Sequence, residues 1–351
     1  MLDSLLTEAA DRFFQDHYDQ SAGVVAESSE TNARLWSLLV ENGLTFALVP
    51  ESLGGAGLTL MQAFAILKIG GKHASPVPLA ETMLSNWLLA MSGSAPSELA
   101  LSVAPQHPGD SIHLTQHGRL VGTVRSINFA SQCDQLVVMA TSPQGIRAVV
   151  VRPDDCIVQV KPGTSPDPIG DIDLSRVTPI SAGPNIVSRR RAQFLGAVAY
   201  AAQMAGALEA MLEITTDYVQ VRSAFGRTLS KFQAVQQNLA TLACEVAAAN
   251  SAVASAADAL DTIKDDDDPA LLLECASAKI RVGEAASLGS TIAHQAHGAT
   301  GYTAEYVLSR YSRRIWGWRD QFGSESDWAI ELGNEIAKQG ADELWPLIAS
   351  R

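Results

Sequence analysis

The last 164 positions carry the longest regular hydrophobic pattern. From Ala197 to Val221 the chain is rich in Ala, Leu and Met and holds no proline. Phe232, Val235, Leu239, Leu242 and Val246 then recur at three- and four-residue steps, the apolar stripe of a second helix. Gly226 lies between them, where a helix C-terminus wants a permissive backbone. The pattern predicts long helices over about 188–224, 227–263, 268–297 and 304–320, and a terminal one from about 325. Alanines and serines in the third of these allow close helix approach, as in a tightly packed bundle completed by other subunits. The acidic run Asp265–Asp268 before Pro269 reads as a solvated turn whose aspartates favour the next helix N-terminus, with Ca²⁺ binding as the alternative.

Residues 1–100 also read as helical. Leu35, Trp36, Leu38, Leu39 and Leu44 form an amphipathic run that stops near Asn42-Gly43. A loop punctuated by Pro50 and Gly54-Gly55-Ala56-Gly57 follows, then a helix from Leu60 to about Lys72 and another after Pro76-Val77-Pro78. Residues 101–187 differ. Short β-prone runs (136–140, 148–152, 157–160) are separated by Pro, Gly, Asp and Ser, which predicts a small β domain. The third domain is 188–351.

Composition narrows the picture. A chain of 351 residues with 47% hydrophobic residues can bury a large core. A net charge of −13 leaves no electrostatic footprint for nucleic acid or an anionic membrane. The segment 192–212 is long enough to span a bilayer, but Gln193, Gln203 and Glu209 interrupt it and no aromatic belt brackets it, so a buried bundle helix is expected. Four cysteines without metal or disulfide spacing suit free thiols in a reducing cytoplasm.

The candidate chemistry sits at the corner after Tyr218. Arg222, Arg227 and Lys231 lie beside Phe225 and Gln233, a grouping suited either to a solvated basic corner or to a pyrophosphate carrying a flat heterocycle. Written Y-x-x-x-R-x-x-F-G…F-Q, the stretch resembles the acyl-CoA dehydrogenase family. A second stretch, Gln295-Ala-His-Gly298-Ala299-Thr-Gly301-Tyr302-Thr-Ala-Glu305-Tyr306, and an N-terminal one, Val49-Pro50-Glu51…Gly54-Gly55 with Pro76-Val-Pro-Leu-Ala-Glu81, resemble the same family. The resemblance implies a mainly α fold: an N-terminal helical domain, a small β-barrel domain and a C-terminal four-helix bundle. It also implies that Arg222, Phe225, Gln233, Gln295, Gly298 and Ala299 touch an FAD held mainly by a neighbouring subunit.

The family's base is a glutamate at one of two places. Counting back from Tyr218 puts one at Gly196; the other, just before Gly323, falls on Phe322. Asp320 and Glu325 are the nearby carboxylates, with ordinary pairing to Arg313, Arg314 or Arg319 as their bland reading. The barrel lacks the family's flavin-ring segment, keeping only Gly109-Asp110, and contains no tryptophan. These losses resemble the degenerate subunit of α2β2 acyl-CoA dehydrogenases of steroid side-chain degradation, as does Trp316-Gly-Trp318-Arg319-Asp320-Gln-Phe322-Gly323. The expectation is therefore a non-catalytic partner sharing FAD with a catalytic acyl-CoA dehydrogenase subunit, acting on an acyl-CoA and passing electrons to an electron-transfer flavoprotein. Two alternatives are a self-sufficient homo-oligomer using Asp320 or Glu325, and a flavin-free structural or CoA-thioester-binding protein. The acyl pocket would depend on residues such as Phe194, Tyr200 and Met204.

Overall fold

The computed structural model describes residues 2–18, 23, 27–163, 165–184 and 187–349. Four helices come first: α1 (Leu2–His17), α2 (Ser29–Glu41), α3 (Leu60–Lys72) and α4 (Leu79–Met91). Ser28 caps α2 and Thr59 caps α3, each through a reciprocal box with the residue three on, which satisfies backbone donors a helix start leaves free. Nine strands follow: β1 (Leu101–Ala104), β2 (His113–Leu114), β3 (Leu120–Val121), β4 (Thr123–Asn128), β5 (Gln135–Ser142), β6 (Gly145–Val151), β7 (Ile157–Lys161), β8 (Ile169–Asp173) and β9 (Ser181–Ala182). One sheet runs β3-β2-β5-β6-β9 with β1 parallel to β5; the other is β4-β8-β7, antiparallel. Val124, Ile127 and Ile172 of the second sheet share a core with Leu136, Val138 and Val149 of the first.

The chain then runs through α5 (Arg189–Val221), the two-strand ribbon β10 (Ser223–Ala224) and β11 (Arg227–Thr228), α6 (Gln233–Thr262), α7 (Pro269–His297), α8 (Val307–Trp318), α9 (Glu325–Gln339) and α10 (Leu344–Ala349). Helix α5 is the axis. It packs against α3, α6, α7 and α8, and 89% of its most apolar window is buried. Both α5 and α6 are long and apolar enough to cross a membrane, yet α5 is the core helix of this fold. Helices α1, α3 and α4 share their core with α5–α9, so the two helical regions bury one another.

Two expectations need correction. The helix expected over 227–263 begins at Gln233, because residues 223–228 form a hairpin in which Ala224 pairs with Arg227. Phe225 (φ 53°) and Gly226 (φ 80°) are its two loop residues, both left-handed, as the twist of a two-residue hairpin turn demands. Gly226 thus turns a hairpin and does not end a helix. The acidic run is also more than a solvated turn. Asp268 accepts from Ala270 N as the α7 cap, while Asp266 pairs with Arg191 (2.5 Å) at the start of α5. It fastens the α6–α7 connection to the core helix.

Candidate functional site

Between α8 and α9 the chain makes a sharp turn whose geometry is imposed by a buried cation. Lys279 of α7, 1% exposed, donates to the carbonyl oxygens of Arg319 (2.5 Å), Gln321 (2.9 Å) and Gly323 (2.6 Å). Burial pushes its pKa down to about 8, against the pull of Glu325 and Asp320. Trp328 Nε1 donates to the Phe322 carbonyl at 3.0 Å. Held from both sides, Phe322 takes a left-handed backbone (φ 55°) and lays its ring on Gly196 of α5. A methyl group at position 196 would overlap that ring. The two positions where the sequence resemblance calls for a glutamate are therefore in contact, one an aromatic ring and the other the bare backbone beneath it.

Beside this pair lies a buried polar network that the sequence did not reveal. Tyr200, whose ring is 5.8 Å from that of Phe322, donates its hydroxyl to Glu81 Oε1 at 2.5 Å. Asn128 donates to Glu81 (3.3 Å) and to the Tyr200 oxygen (3.0 Å), and Gln321 donates to the carbonyl of Ser126 (3.1 Å). Ser126 has φ 55° where the β4–β8 register shifts, so this irregularity turns strand β4 toward the turn after α8. Burial raises the Glu81 carboxyl to about 7, while its bonds from Tyr200 and Asn128 pull the other way.

The two nearby carboxylates lie elsewhere. Asp320 is exposed. Glu325 is bound by Arg319 and lies over Gly283 of α7, where a Cβ would overlap its carboxylate. Neither lines the cleft that Phe322 borders. Arg314 does not join them; it pairs with Glu27 (2.7 Å) and Asp167 (2.8 Å), all three shielded from solvent. That pairing draws the 165–167 segment onto α8, so that a Cβ at Gly317 would come within 2.7 Å of Ser165. Gly109-Asp110 is likewise committed. The Asp110 carboxylate holds Arg125 through its backbone N (2.7 Å) and Nε (2.6 Å).

The cleft itself lies between α4, the start of α5 and the β domain. Leu84, Trp87, Val103, Met139 and Phe322 supply apolar wall. Arg189 lines it too, and the first residue of an Arg-Arg-Arg run gave no sign in the sequence of being distinct from its neighbours. Of the three expected pocket residues, Phe194, Tyr200 and Met204 are all fully buried in the bundle core, and none lines this cleft.

The outer corner is the opposite kind of surface. Arg222, Gln233, Gln295, Gly298 and Ala299 are exposed, and Phe225 is 97% exposed. The end of α5, the start of α6 and the end of α7 meet here. Tyr218 stacks on His297 with ring centroids 4.2 Å apart, and Gln295 shares a cleft with Leu229, Ala234 and Val235. The six residues that the two motifs nominated are thus all exposed, at or just beyond the ends of α5 and α7 and at the start of α6. Arg227 is not free to join them, because its guanidinium sits 4.0 Å over the Phe232 ring.

Sequence comparison agrees with this architecture. The profile of the acyl-CoA dehydrogenase N-terminal domain matches residues 3–96, and that of the C-terminal domain matches 194–320. The chain is 27% identical over 318 residues to acyl-CoA dehydrogenase IpdE2 of Mycobacterium tuberculosis, covering 89% of this chain and 86% of that protein. Among solved structures, a Tcur3481-Tcur3483 steroid ACAD variant superposes with a TM-score of 0.82 at 27% identity, covering 96% of this chain and 98% of that one. The ChsE4-ChsE5 complex from Mycobacterium tuberculosis gives a TM-score of 0.84 at 21% identity over 97% and 98%, a likeness of fold. With the helical domain, the β domain and the bundle all in the expected order, the chain belongs to the acyl-CoA dehydrogenase family.

Proposed function

We propose that this chain is the non-catalytic subunit of a heteromeric, FAD-dependent acyl-CoA dehydrogenase. The observation that carries the reading is the Phe322 ring seated on Gly196, which leaves neither base position with a carboxylate. The closed contact between Ser165 and Gly317, and the commitment of Asp110 to Arg125, disfavour a flavin ring in this chain's own barrel. The outer corner fits a different part of the cofactor. Arg222 offers a planar pair of donors to a diphosphate and makes no side-chain bond among the described residues. Phe225 adds an exposed ring, and Gln233 and Gln295 add amides. In the assembly FAD would accept hydride from an acyl-CoA; this chain's part is to hold the cofactor's far half.

A two-component enzyme for a steroid-type acyl-CoA is supported by the 27% identity to the Tcur3481-Tcur3483 steroid ACAD; the proposed stoichiometry is α2β2, and an electron-transfer flavoprotein would be the electron acceptor. A self-sufficient enzyme using Asp320 or Glu325 is disfavoured by the exposure of the first and the Arg319 pairing of the second. The test is Arg222→Ala in the assembly reconstituted with its catalytic partner. Loss of about 2 kcal/mol of charge-assisted bonding should weaken FAD retention at least tenfold. Unchanged FAD content would favour the flavin-free scaffold instead.

A further inference from the structure

The cleft between α4, the start of α5 and the β domain holds an unbalanced set of polar groups. The Arg189 guanidinium is half-buried there, and its bonds are to two backbone carbonyl oxygens, of Asp110 (3.1 Å) and Met139 (3.3 Å). Burial alone lowers its pKa, with no acidic side chain contributing. The carboxylate of Asp110 is taken by Arg125. On the opposite wall Gln106 is 2% exposed; its Oε1 accepts weakly from Asn128 N (3.4 Å), and its Nε2 has no partner. A buried donor without an acceptor destabilises the free protein, and a half-buried cation without an anion adds to that cost. No carboxylate lines the cleft; besides Arg189 and Gln106 its polar side chains are His107 and Gln193, and the rest of the wall is apolar.

We infer that this cleft binds a small apolar carboxylate, with Arg189 as its counter-ion and the Gln106 amide as a second donor. The planar guanidinium matches a planar carboxylate through two parallel bonds, and the amide supplies one more. A phosphate dianion is a poorer fit, because a single cation ringed by Leu84, Trp87, Leu88 and Met139 cannot replace its hydration. A cation finds no acceptor of opposite charge. The carboxylate could belong to a free acid or to the far end of a diacid attached to CoA. The inference does not depend on the flavin-lending role, since it concerns another surface and is measured without flavin.

Isothermal titration of the full-length chain with cyclohexanecarboxylate and with its neutral isostere cyclohexanecarboxamide tests it. Adipyl-CoA and hexanoyl-CoA form a second pair. We expect at least a tenfold preference for the carboxylate in one pair, the first pair indicating a free acid and the second a CoA-linked one. Arg189→Met should abolish that preference by weakening carboxylate or adipyl-CoA binding far more than amide or hexanoyl-CoA binding, and Arg189→Lys should keep part of it. The ligand comparison on the unaltered chain needs no variant to fold. No carboxylate preference in either pair, or a preference that survives Arg189→Met, would overturn the assignment.

Discussion

The inner crevice and the outer corner of this molecule use similar residue types to opposite ends. Inside, a lysine, an arginine, a glutamate and a phenylalanine are all spent on holding the chain to itself. Lys279 closes the turn after α8, Arg314 bridges to Glu27 and Asp167, Glu81 shares a hydrogen bond with Tyr200, and Phe322 seals Gly196. Outside, the Arg222 side chain makes no bond among the described residues, and the Phe225 ring meets the Phe232 ring edge-on with centroids 6.4 Å apart. Phe225 holds an exposed ring on a left-handed backbone, a position where a glycine would relax. A strained, exposed aromatic contributes little to this chain's stability, which suits the docking role proposed for it. What separates the two regions is therefore commitment: these four inner side chains are taken up by their own fold, whereas the Arg222 side chain at the rim makes no bond among the described residues.

Substitutions should expose that difference in stability measurements. The largest effect is expected for Phe322→Ala, which opens a cavity over Gly196 and beside Tyr200 and should cost about 3–5 kcal/mol in denaturant unfolding. Next comes the pH dependence of Glu81. Its carboxyl ionises near 4.5 when unfolded and at about 7 in the fold. Below the lower value both states are protonated. Between the two the unfolded chain loses its proton first, so stability falls as pH rises, by about 1.4 kcal/mol per pH unit and about 3 kcal/mol in all. Glu81→Gln should remove that fall and be the more stable protein at pH 8; an identical pH profile would show that Glu81 does not titrate this way.

Gly196→Ala should cost about 2 kcal/mol by overpacking the Phe322 ring. In the Phe322→Ala background the same methyl should cost much less, and a double-mutant cycle with additive energies would deny the contact. The smallest effect belongs to the rim. Phe225→Gly should stabilise the isolated chain by about 1 kcal/mol, by relieving its φ of 53°, while weakening FAD retention in the assembly. A loss of stability there would mean that the corner serves its own fold after all.

Legibility in the sequence followed the same division. The rim residues could be nominated because their spacing along two motifs is local; they lie at or just beyond the ends of α5, α6 and α7, and their contact with a flavin is the proposal. The hairpin at 223–228 was missed because Phe225-Gly226 carries no Asn-Gly or Asp-Gly signal, and a glycine after a long helix reads equally well as its end. Gly196 and Phe322 could be located by counting, but their contact depends on Lys279 drawing in the turn at 319–323. A lysine amid Ala276, Ala278 and Val282 was the available sign of a buried cation. Arg189 and Gln106 gave no such sign, since what sets them apart is missing partners in three dimensions.

In the proposed role this chain grips a flavin nucleotide whose reacting end belongs to another subunit. The most direct test of that role is the flavin absorbance and acyl-CoA turnover of the purified chain, measured alone and again after reconstitution with its catalytic partner. A colourless, inactive lone chain is expected, with stoichiometric FAD and turnover in the assembly. One FAD per lone chain, with turnover of its own, would contradict it.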